Sequence, residues 1–378
     1  MIAAILKETI VGETRVAATP KTVLELINSG LTVQVESGAG HESFFSDQDY
    51  SDAGAHIKSD PKSTLVGANL ILKVLSPTFD EIESFPENSI FISLFQTTNE
   101  FEKVIKLKDK KITGFSMHLI PRTTLAQAMD ALSSQANIAG YKAVLVGASH
   151  LAVYMPLLMT AAGTIAPAKV LVIGAGVAGL QAIATANRLG AQVEAFDVRP
   201  EVKEQVESLG AKFIEVESNN TEGVGEGGYA KETSDDYKKQ QELKIKERAS
   251  KADLVITTAL IPGKPAPILI NENVVENMKR GSVIVDLASE NGGNCELTQK
   301  DKIINHKGVI IDGTSNFPAT MQAHASQLYA KNISSFIIHM MNEGEINLDL
   351  DDEIISGAMF THKGEITHQP TNELASNS

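Results

Sequence analysis

The 378-residue sequence has a single cysteine, Cys295. An internal disulfide is therefore excluded, and the composition suits a reducing compartment such as the cytoplasm. Cys295 ends the stretch Gly292-Gly-Asn-Cys295, where a small buried residue in a turn is a better reading than a nucleophile. Positive charge is also scarce: 33 Lys and Arg stand against 47 Asp and Glu, a formal net charge of −14. A surface of that sign repels nucleic-acid phosphates and anionic lipid headgroups, so neither is expected as a partner. A long uninterrupted apolar run is missing too. The most apolar region, Ala143 to Leu180, is broken by His150, Pro156, Pro167 and Lys169, and is expected to be a buried interdomain helix leading into a strand rather than a membrane span. The opening Met1-Ile-Ala-Ala-Ile-Leu-Lys7-Glu8 lacks the basic start and apolar core of a signal peptide and reads as a strand. No internal repeat is evident, and the residues from about Thr367 are expected to fray.

What is present is an alternation of strand-like and helix-like segments, the pattern of parallel α/β domains. In the first third, strands are expected at Ile2–Leu6, Thr32–Glu36, Leu70–Val74, Ser89–Leu94 and Thr113–Ser116, with helices such as Pro20–Ser29 and Asn99–Lys108 between them. Thr19-Pro20 is a start signal for the first helix, Thr as N-cap and Pro in the first turn. A second set of strands follows at Lys169–Ile173, Gln192–Phe196, Lys212–Ile214, Leu254–Thr257, Val283–Asp286 and Val309–Ile311. Long helices around Ser134–Val146 and Ala319–Asn342 are expected to link the domains. The expected fold is thus α/β, two doubly wound parallel-sheet (Rossmann-like) domains linked by long helices. Residues 1–132 with 319–378 form one domain and 133–318 the nucleotide-binding one, with a cleft between them as the usual place for a dinucleotide and its reaction partner.

The most specific local signal is Lys169-Val-Leu-Val-Ile-Gly174-Ala-Gly176-Val177-Ala-Gly179, a buried strand running into a glycine turn and then a helix over Val177–Leu189. Such glycines permit a tight turn and close backbone approach, so a pyrophosphate rests on the helix N-terminus. Asp197 follows about twenty residues later, at the end of the next apolar run. Its carboxylate would accept hydrogen bonds from the adenosine ribose, on the order of 1.5–3 kcal/mol, and repel a 2′-phosphate, which favours NAD(H) over NADP(H). Arg199, two residues on, keeps the opposite preference open by its capacity to neutralise such a phosphate. Between Glu215 and Glu247 lies a polar segment with Asn219-Asn220, Gly223, Gly225, Gly227, Gly228 and Tyr229. Its length is that of an active-site lid, and equally of a solvated surface loop.

At Arg122-Thr123-Thr-Leu-Ala-Gln127-Ala-Met-Asp130-Ala-Leu-Ser133 and on to Tyr141 the sequence stops being generic. Together with Thr257-Thr-Ala-Leu260-Ile-Pro-Gly-Lys-Pro-Ala-Pro267, Gly227-Gly-Tyr-Ala-Lys-Glu232 and Asp286-Leu-Ala-Ser-Glu-Asn-Gly-Gly-Asn-Cys295, it closely resembles the NAD(H)-binding alpha-subunit component of proton-translocating nicotinamide nucleotide transhydrogenases. The likeness covers nearly the whole chain. It implies that Arg122, Thr123, Gln127, Asp130 and Ser133 surround the nicotinamide end of the cofactor. It also implies that Gly228-Tyr229 closes over bound nucleotide, and that Val177, Asp197, Val198, Arg199, Gln241 and Leu260 line the site. A Gln can pair with the carboxamide through both its donor and its acceptor, and Arg122 with Asp130 could form a charge-assisted pair stiffening the loop. Without the resemblance, this group reads as a surface ion pair with helix caps. The family commonly carries a second basic residue where this chain has Leu125, so any contact from that position is lost here.

Alanine dehydrogenases share the fold and resemble the chain at Gly12-Glu-Thr-Arg15-Val-Ala-Ala-Thr-Pro20 and Leu70-Ile-Leu-Lys73-Val74. There, residues matching Arg15 and Lys73 hold the substrate, a carboxylate matches Glu290, and a His stands where this chain has Phe95. Oxidising an amino acid moves protons as well as hydride and requires a general acid/base; Phe95 cannot serve. Hydride passage between two nicotinamide rings needs orientation and water exclusion alone. The favoured expectation is therefore NAD(H) on this chain and NADP(H) on a partner subunit. The partners expected from the resemblance are a second copy of the chain, in a homodimer, and membrane-spanning and NADP(H)-binding subunits that hold it at the inner (plasma) membrane. No metal is expected.

Overall fold

The computed structural model of the chain describes residues 1–216, 235–261 and 264–376. It divides into two compact units, Met1–Gln135 with Ala319–Ser378, and Ala136–Pro318. Each is built on one mainly parallel sheet covered by helices on both faces, as the alternating sequence pattern requires.

In the first unit the strands lie in the order Glu365–Ile366, Met359–His362, Thr113–Ser116, Ile90–Leu94, Leu70–Leu75, Ile2–Ile5, Thr32–Glu36, His56–Lys58. The six from the first half of the chain are parallel. Chain order reverses between Ile2–Ile5 and Leu70–Leu75, so this junction is the switch point of the sheet. Strand Leu70–Leu75 is buried almost throughout, Lys73 included, which is why it reads as a continuous run rather than an alternation. Thr19 caps the Pro20–Asn28 helix in a capping box with Thr22.

The second unit has the order Lys212–Phe213, Gln192–Phe196, Lys169–Ile173, Leu254–Thr257, Val283–Asp286, Val309–Asp312, Ile303–His306, with only the last strand antiparallel. Its switch point lies between Lys169–Ile173 and Leu254–Thr257. Apolar clusters fill both faces, one around Val172, Ala182 and Ile256, the other around Leu171, Ile245 and Ile284.

Three expectations need correction. The Ala143–Leu180 region is not one helix: the Ala131–His150 helix stops there, and Leu158–Thr160 pairs with Gly163–Ile165 as an exposed hairpin before the next strand begins. Pro156, which has no N–H to give a helix, sits against the Gly190 turn, where an added Cβ would come within 2.7 Å of it. The tail does not fray at Thr367. Met359–His362 joins the first sheet beside Thr113–Ser116, and the helix Gln369–Ser376 is pinned by Thr371, whose hydroxyl donates to that of Thr97 at 2.9 Å. The late long helix runs over Gln322–Met340 and is no linker: Tyr329, Ile333, Phe336 and Ile337 sit in the core of the first unit. Ala131–His150 is the long helix that carries the chain from one unit into the other. Among the described residues no helix is long and apolar enough to cross a membrane.

Candidate functional site

At the switch point of the second sheet, the chain leaves strand Lys169–Ile173 through Gly174, whose φ of +99° only glycine adopts without strain. A Cβ there would meet the Thr258 hydroxyl at 2.5 Å, and one on Gly179 would lie 1.8 Å from the Gly174 carbonyl oxygen. Gly140 is used the same way, a Cβ there reaching 2.0 Å from the Ala178 oxygen, so the long helix and the Val177–Arg188 helix touch backbone to backbone. Gly176 differs, because a Cβ on it would meet nothing. It is the N-cap of the Val177–Arg188 helix and makes no side-chain capping bond, so among the described residues nothing covers the first-turn N–H groups. That cradle fits a pyrophosphate, whose charge the helix dipole favours. Val177 is exposed beside it.

Asp197 closes the other side of the turn. It is 8% exposed; its Oδ2 accepts from the Ala175 N–H at 2.7 Å, and Arg199 forks onto it, Nε to Oδ1 at 2.9 Å and Nη2 to Oδ2 at 3.0 Å. The Arg199 N–H donates to Oδ1 as well. Both residues thus stand beside the glycine turn, but paired to each other; a ribose reaching Asp197 must share or displace Arg199. Val198 between them is half-buried. Leu260 is 43% exposed on the loop after strand Leu254–Thr257, and Gln241 is buried on the helix Asp235–Ala249. Gly228 and Tyr229 lie outside the described residues.

The resemblance-based group is in the first unit. Ala126 and Met129 are buried and anchor a 3-10 turn, Leu125–Met129, while Arg122, Leu125 and Gln127 are exposed. Asn332 holds the loop from below, donating to the Ala128 oxygen at 2.9 Å. Among the described residues no ion pair joins Arg122 and Asp130. Asp130 instead begins the long helix as its cap, accepting the Ser133 N–H at 2.9 Å and the Ser133 hydroxyl at 2.6 Å, because these donors are three residues away on the first turn. Thr123 keeps a buried hydroxyl with no hydrogen-bond partner among the described residues, a group that a ligand amide would satisfy.

The first unit's own switch point is filled. Lys73, fully buried, bonds Glu81 at 2.5 Å and lies 3.7 Å from Glu8. Arg15 forks onto Glu13, at 2.8 and 2.6 Å, and donates to Gln135 at 2.8 Å. Desolvation pushes Glu8 up to about 7 despite Lys73 beside it. Phe95 is buried and stacked on Phe360, ring centroids 4.9 Å apart. Desolvation pushes His118 down to about 4, too weak a base for proton abstraction near neutrality. Glu290 is exposed and faces Lys300 at 3.6 Å.

Sequence reasoning missed three polar residues at the carboxyl end of the second sheet. Thr258 donates to the Gly174 oxygen at 3.1 Å, buried Asp286 accepts from Thr257, Ala288, Cys295 and Thr298, and buried Asn294 ties down Ala259. Thr258 alone stands just beyond the last residue of a buried strand, a position that sequence can flag; Asp286 ends its strand and Asn294 lies well past it. Cys295 is indeed buried, but it pairs with Ile270 in an isolated parallel β-bridge rather than sitting in a turn, and burial pushes its thiol up to about 11. A cavity of about 280 Å³ lies at the opposite end of this sheet, among Lys169, Lys212, Arg248 and Lys251, away from the glycine turn.

This is the architecture of a nicotinamide-nucleotide oxidoreductase, and the chain belongs to the alanine dehydrogenase/PNT family. Residues 4–139 match the family's N-terminal domain and 143–369 its C-terminal domain. Within the family its likeness is to transhydrogenases. It is 46% identical to an NAD(P) transhydrogenase subunit alpha polypeptide of Rhodospirillum rubrum over 97% of both chains. A transhydrogenase structure from Sinorhizobium meliloti superposes with a TM-score of 0.88 at 43% identity, covering 97% of this chain and all of that one. Alanine dehydrogenase 2 of Staphylococcus aureus is more distant, 29% identical over 96% of this chain and 93% of its own length.

Proposed function

We propose that the chain is the NAD(H)-binding component of a proton-translocating transhydrogenase, passing hydride between NADH and NADP⁺ held on a partner subunit. When bound, the nicotinamide supplies the hydride at its C4, and the acceptor ring takes it at C4, leaving NAD⁺ and NADPH with no proton exchanged inside the site. The chain's own task is then to bind, orient and keep water out. The Gly176 cradle holds the pyrophosphate, Asp197 takes the adenosine ribose once Arg199 yields, and Val177, Val198, Gln241 and Leu260 line the pocket. Gln127 and Thr123 fix the carboxamide, and Arg122, Asp130 and Ser133 shape the loop around the ring.

The observation that carries this reading over amino-acid oxidation is Phe95. An apolar ring stacked on Phe360 occupies the position where the dehydrogenase needs a proton-transferring His. The neighbouring cations agree with it, since Arg15 and Lys73 already have carboxylate partners within the chain.

The NADP(H) site and the proton path belong to other subunits, and the exposed hairpin is the surface we assign to pairing with a second copy. Val153, Tyr154, Leu157, Met159 and Ile165 are all exposed on and around it, an apolar cluster that a monomer has no reason to keep. The complex then sits on the inner membrane through the partner subunits.

The deciding experiment is NADPH-driven reduction of acetylpyridine-NAD⁺, first with the chain alone and then with an NADP(H)-binding transhydrogenase subunit added. Turnover only in the mixture is expected. NADH formation from NAD⁺ and L-alanine by the chain alone would overturn the proposal in favour of a dehydrogenase.

A further inference from the structure

We propose that Asn294 is a positioning residue for hydride transfer, holding the loop that starts at Thr258 and carries Leu260 at a fixed height against the Gly174 turn; this rests on the function inferred above. Asn294 is fully buried, and every polar atom of its amide is used. Its Oδ1 accepts from the Ala259 N–H at 2.9 Å, and its Nδ2 donates to the Ala259 oxygen at 2.8 Å and the Pro267 oxygen at 2.9 Å. A carboxamide presents one acceptor beside two donors, and no side chain of similar size other than an amide can make the same three bonds. The Asn294 carbonyl oxygen in turn accepts from the N–H groups of Leu269 and Ile270.

The residue is itself held at the strand end. The next N–H, that of Cys295, donates to Asp286 Oδ2 at 3.0 Å, and Thr298 donates to the same oxygen at 2.6 Å. Asp286 Oδ1 accepts from Thr257 at 2.9 Å, on the strand from which the loop departs. The loop then meets the glycine turn directly: the Thr258 N–H donates to the Ile173 oxygen at 2.8 Å, its hydroxyl to the Gly174 oxygen, and a Cβ on Gly174 would stand 3.2 Å from the Ala259 nitrogen. A continuous set of short bonds therefore runs from Asp286 through Asn294 to Ala259, the residue before Leu260.

Asn294 is spent on backbone and acts through Ala259. Asn294 makes no side-chain bond to Gly176 or to Asp197, whose own partners are Ala175 and Arg199, so anchoring and alignment are separable. Loss of the amide loosens the wall beside the turn while leaving the anchors in place, which lowers transfer more than affinity.

The test is single-turnover hydride transfer at saturating nucleotides, with the full chain mixed with an NADP(H)-binding subunit, alongside NADH titration. Asn294→Ala is expected to lower the transfer rate at least tenfold, to leave the Kd for NADH within threefold, and to speed hydrogen exchange at the Ala259 amide. Asn294→Asp covers the case in which the alanine variant fails to fold: it keeps the shape and the acceptor for the Ala259 N–H, loses both donors, and is expected to show the same split. A folded variant within twofold of the parental rate overturns the positioning role, and so does one whose affinity falls by as much as its rate. A parent chain that transfers no hydride in the mixture sinks the function itself and this role with it, whereas an active parent with unaffected variants sinks this role alone.

Discussion

The two units carry the same kind of sheet with the same reversal of strand order, yet their switch points have opposite contents. In the second unit the crevice is lined by backbone: Gly174 turns, Gly176 leaves room, and the N–H groups of a helix start point outward. In the first unit the corresponding crevice is closed by side chains, with Glu8, Lys73 and Glu81 in one cluster and Glu13, Arg15 and Gln135 in another. A crevice at the carboxyl ends of parallel strands is an intrinsic product of the topology. Whether it binds depends on whether the following residues are glycines or long side chains that find one another.

Filling the open crevice is expected to have the largest effect. Gly179→Ala places a methyl group 1.8 Å from the Gly174 oxygen, and the helix cannot retreat without losing its contact through Gly140. NADH affinity is expected to fall more than 100-fold in a fluorescence titration. Affinity within tenfold of the parent would mean that this turn is not the nucleotide anchor.

Next in size is the reverse experiment, emptying the closed crevice. Lys73→Met leaves Glu8 and Glu81 facing each other without their shared cation, and breaking a buried pair in this way costs about 3–5 kcal/mol. Urea denaturation should show that loss, while NADH binding by the folded fraction stays at the parental value. A stable variant would show that the cluster is not holding the first unit together.

Legibility from sequence follows the same division. The glycine turn, Asp197 and the strands Thr32–Glu36, Lys169–Ile173, Gln192–Phe196 and Val283–Asp286 are readable because glycine spacing and short apolar runs are local signals. The hairpin at Leu158–Ile165 and the strand Met359–His362 are not. The first is short, exposed and embedded in apolar sequence that reads equally as helix; the second pairs locally only with the two-residue strand Glu365–Ile366 and is tied into the sheet by Thr113–Ser116, more than two hundred residues away. The Asp130 cap escapes a reading by charge because its partner, Ser133, is as near in sequence as Arg122 is attractive in charge. Asn294 and Asp286 give no local signal, since buried polar residues declare themselves only through the backbone groups they satisfy.

A smaller effect is expected at the loop of the first unit that does face solvent. Gln127 is exposed and sits on a turn whose anchors, Ala126 and Met129, are independent of it. Gln127→Ala should therefore leave NADH affinity within threefold and lower hydride transfer by roughly tenfold, about 1.4 kcal/mol of lost alignment. Stopped-flow transfer at the parental rate would remove Gln127 from the site.

The smallest effect concerns the charge balance of the closed crevice, and it depends on pH. The side chain of Glu8 is 3% exposed, and burial raises its folded-state pKa from 4.5 to about 7, Lys73 and the Val74 N–H only partly opposing this. A carboxyl with a raised folded pKa favours the fold when protonated. That contribution is complete below about pH 4.5 and is lost as pH rises through about 7. Glu8→Gln makes the neutral form permanent while giving up the attraction to Lys73, so the two changes partly offset. The variant should melt at the parental temperature at pH 5 and higher than the parent at pH 8, by about 2–4 °C for each kcal/mol retained. A difference in melting temperature that stays flat between pH 5 and 8 would mean that Glu8 is ionised throughout and that Lys73 holds it charged against the repulsion of Glu81. The first crevice would then be sealed by a complete ion cluster rather than by a proton, and the contrast with the open glycine turn of the second unit would be sharper still.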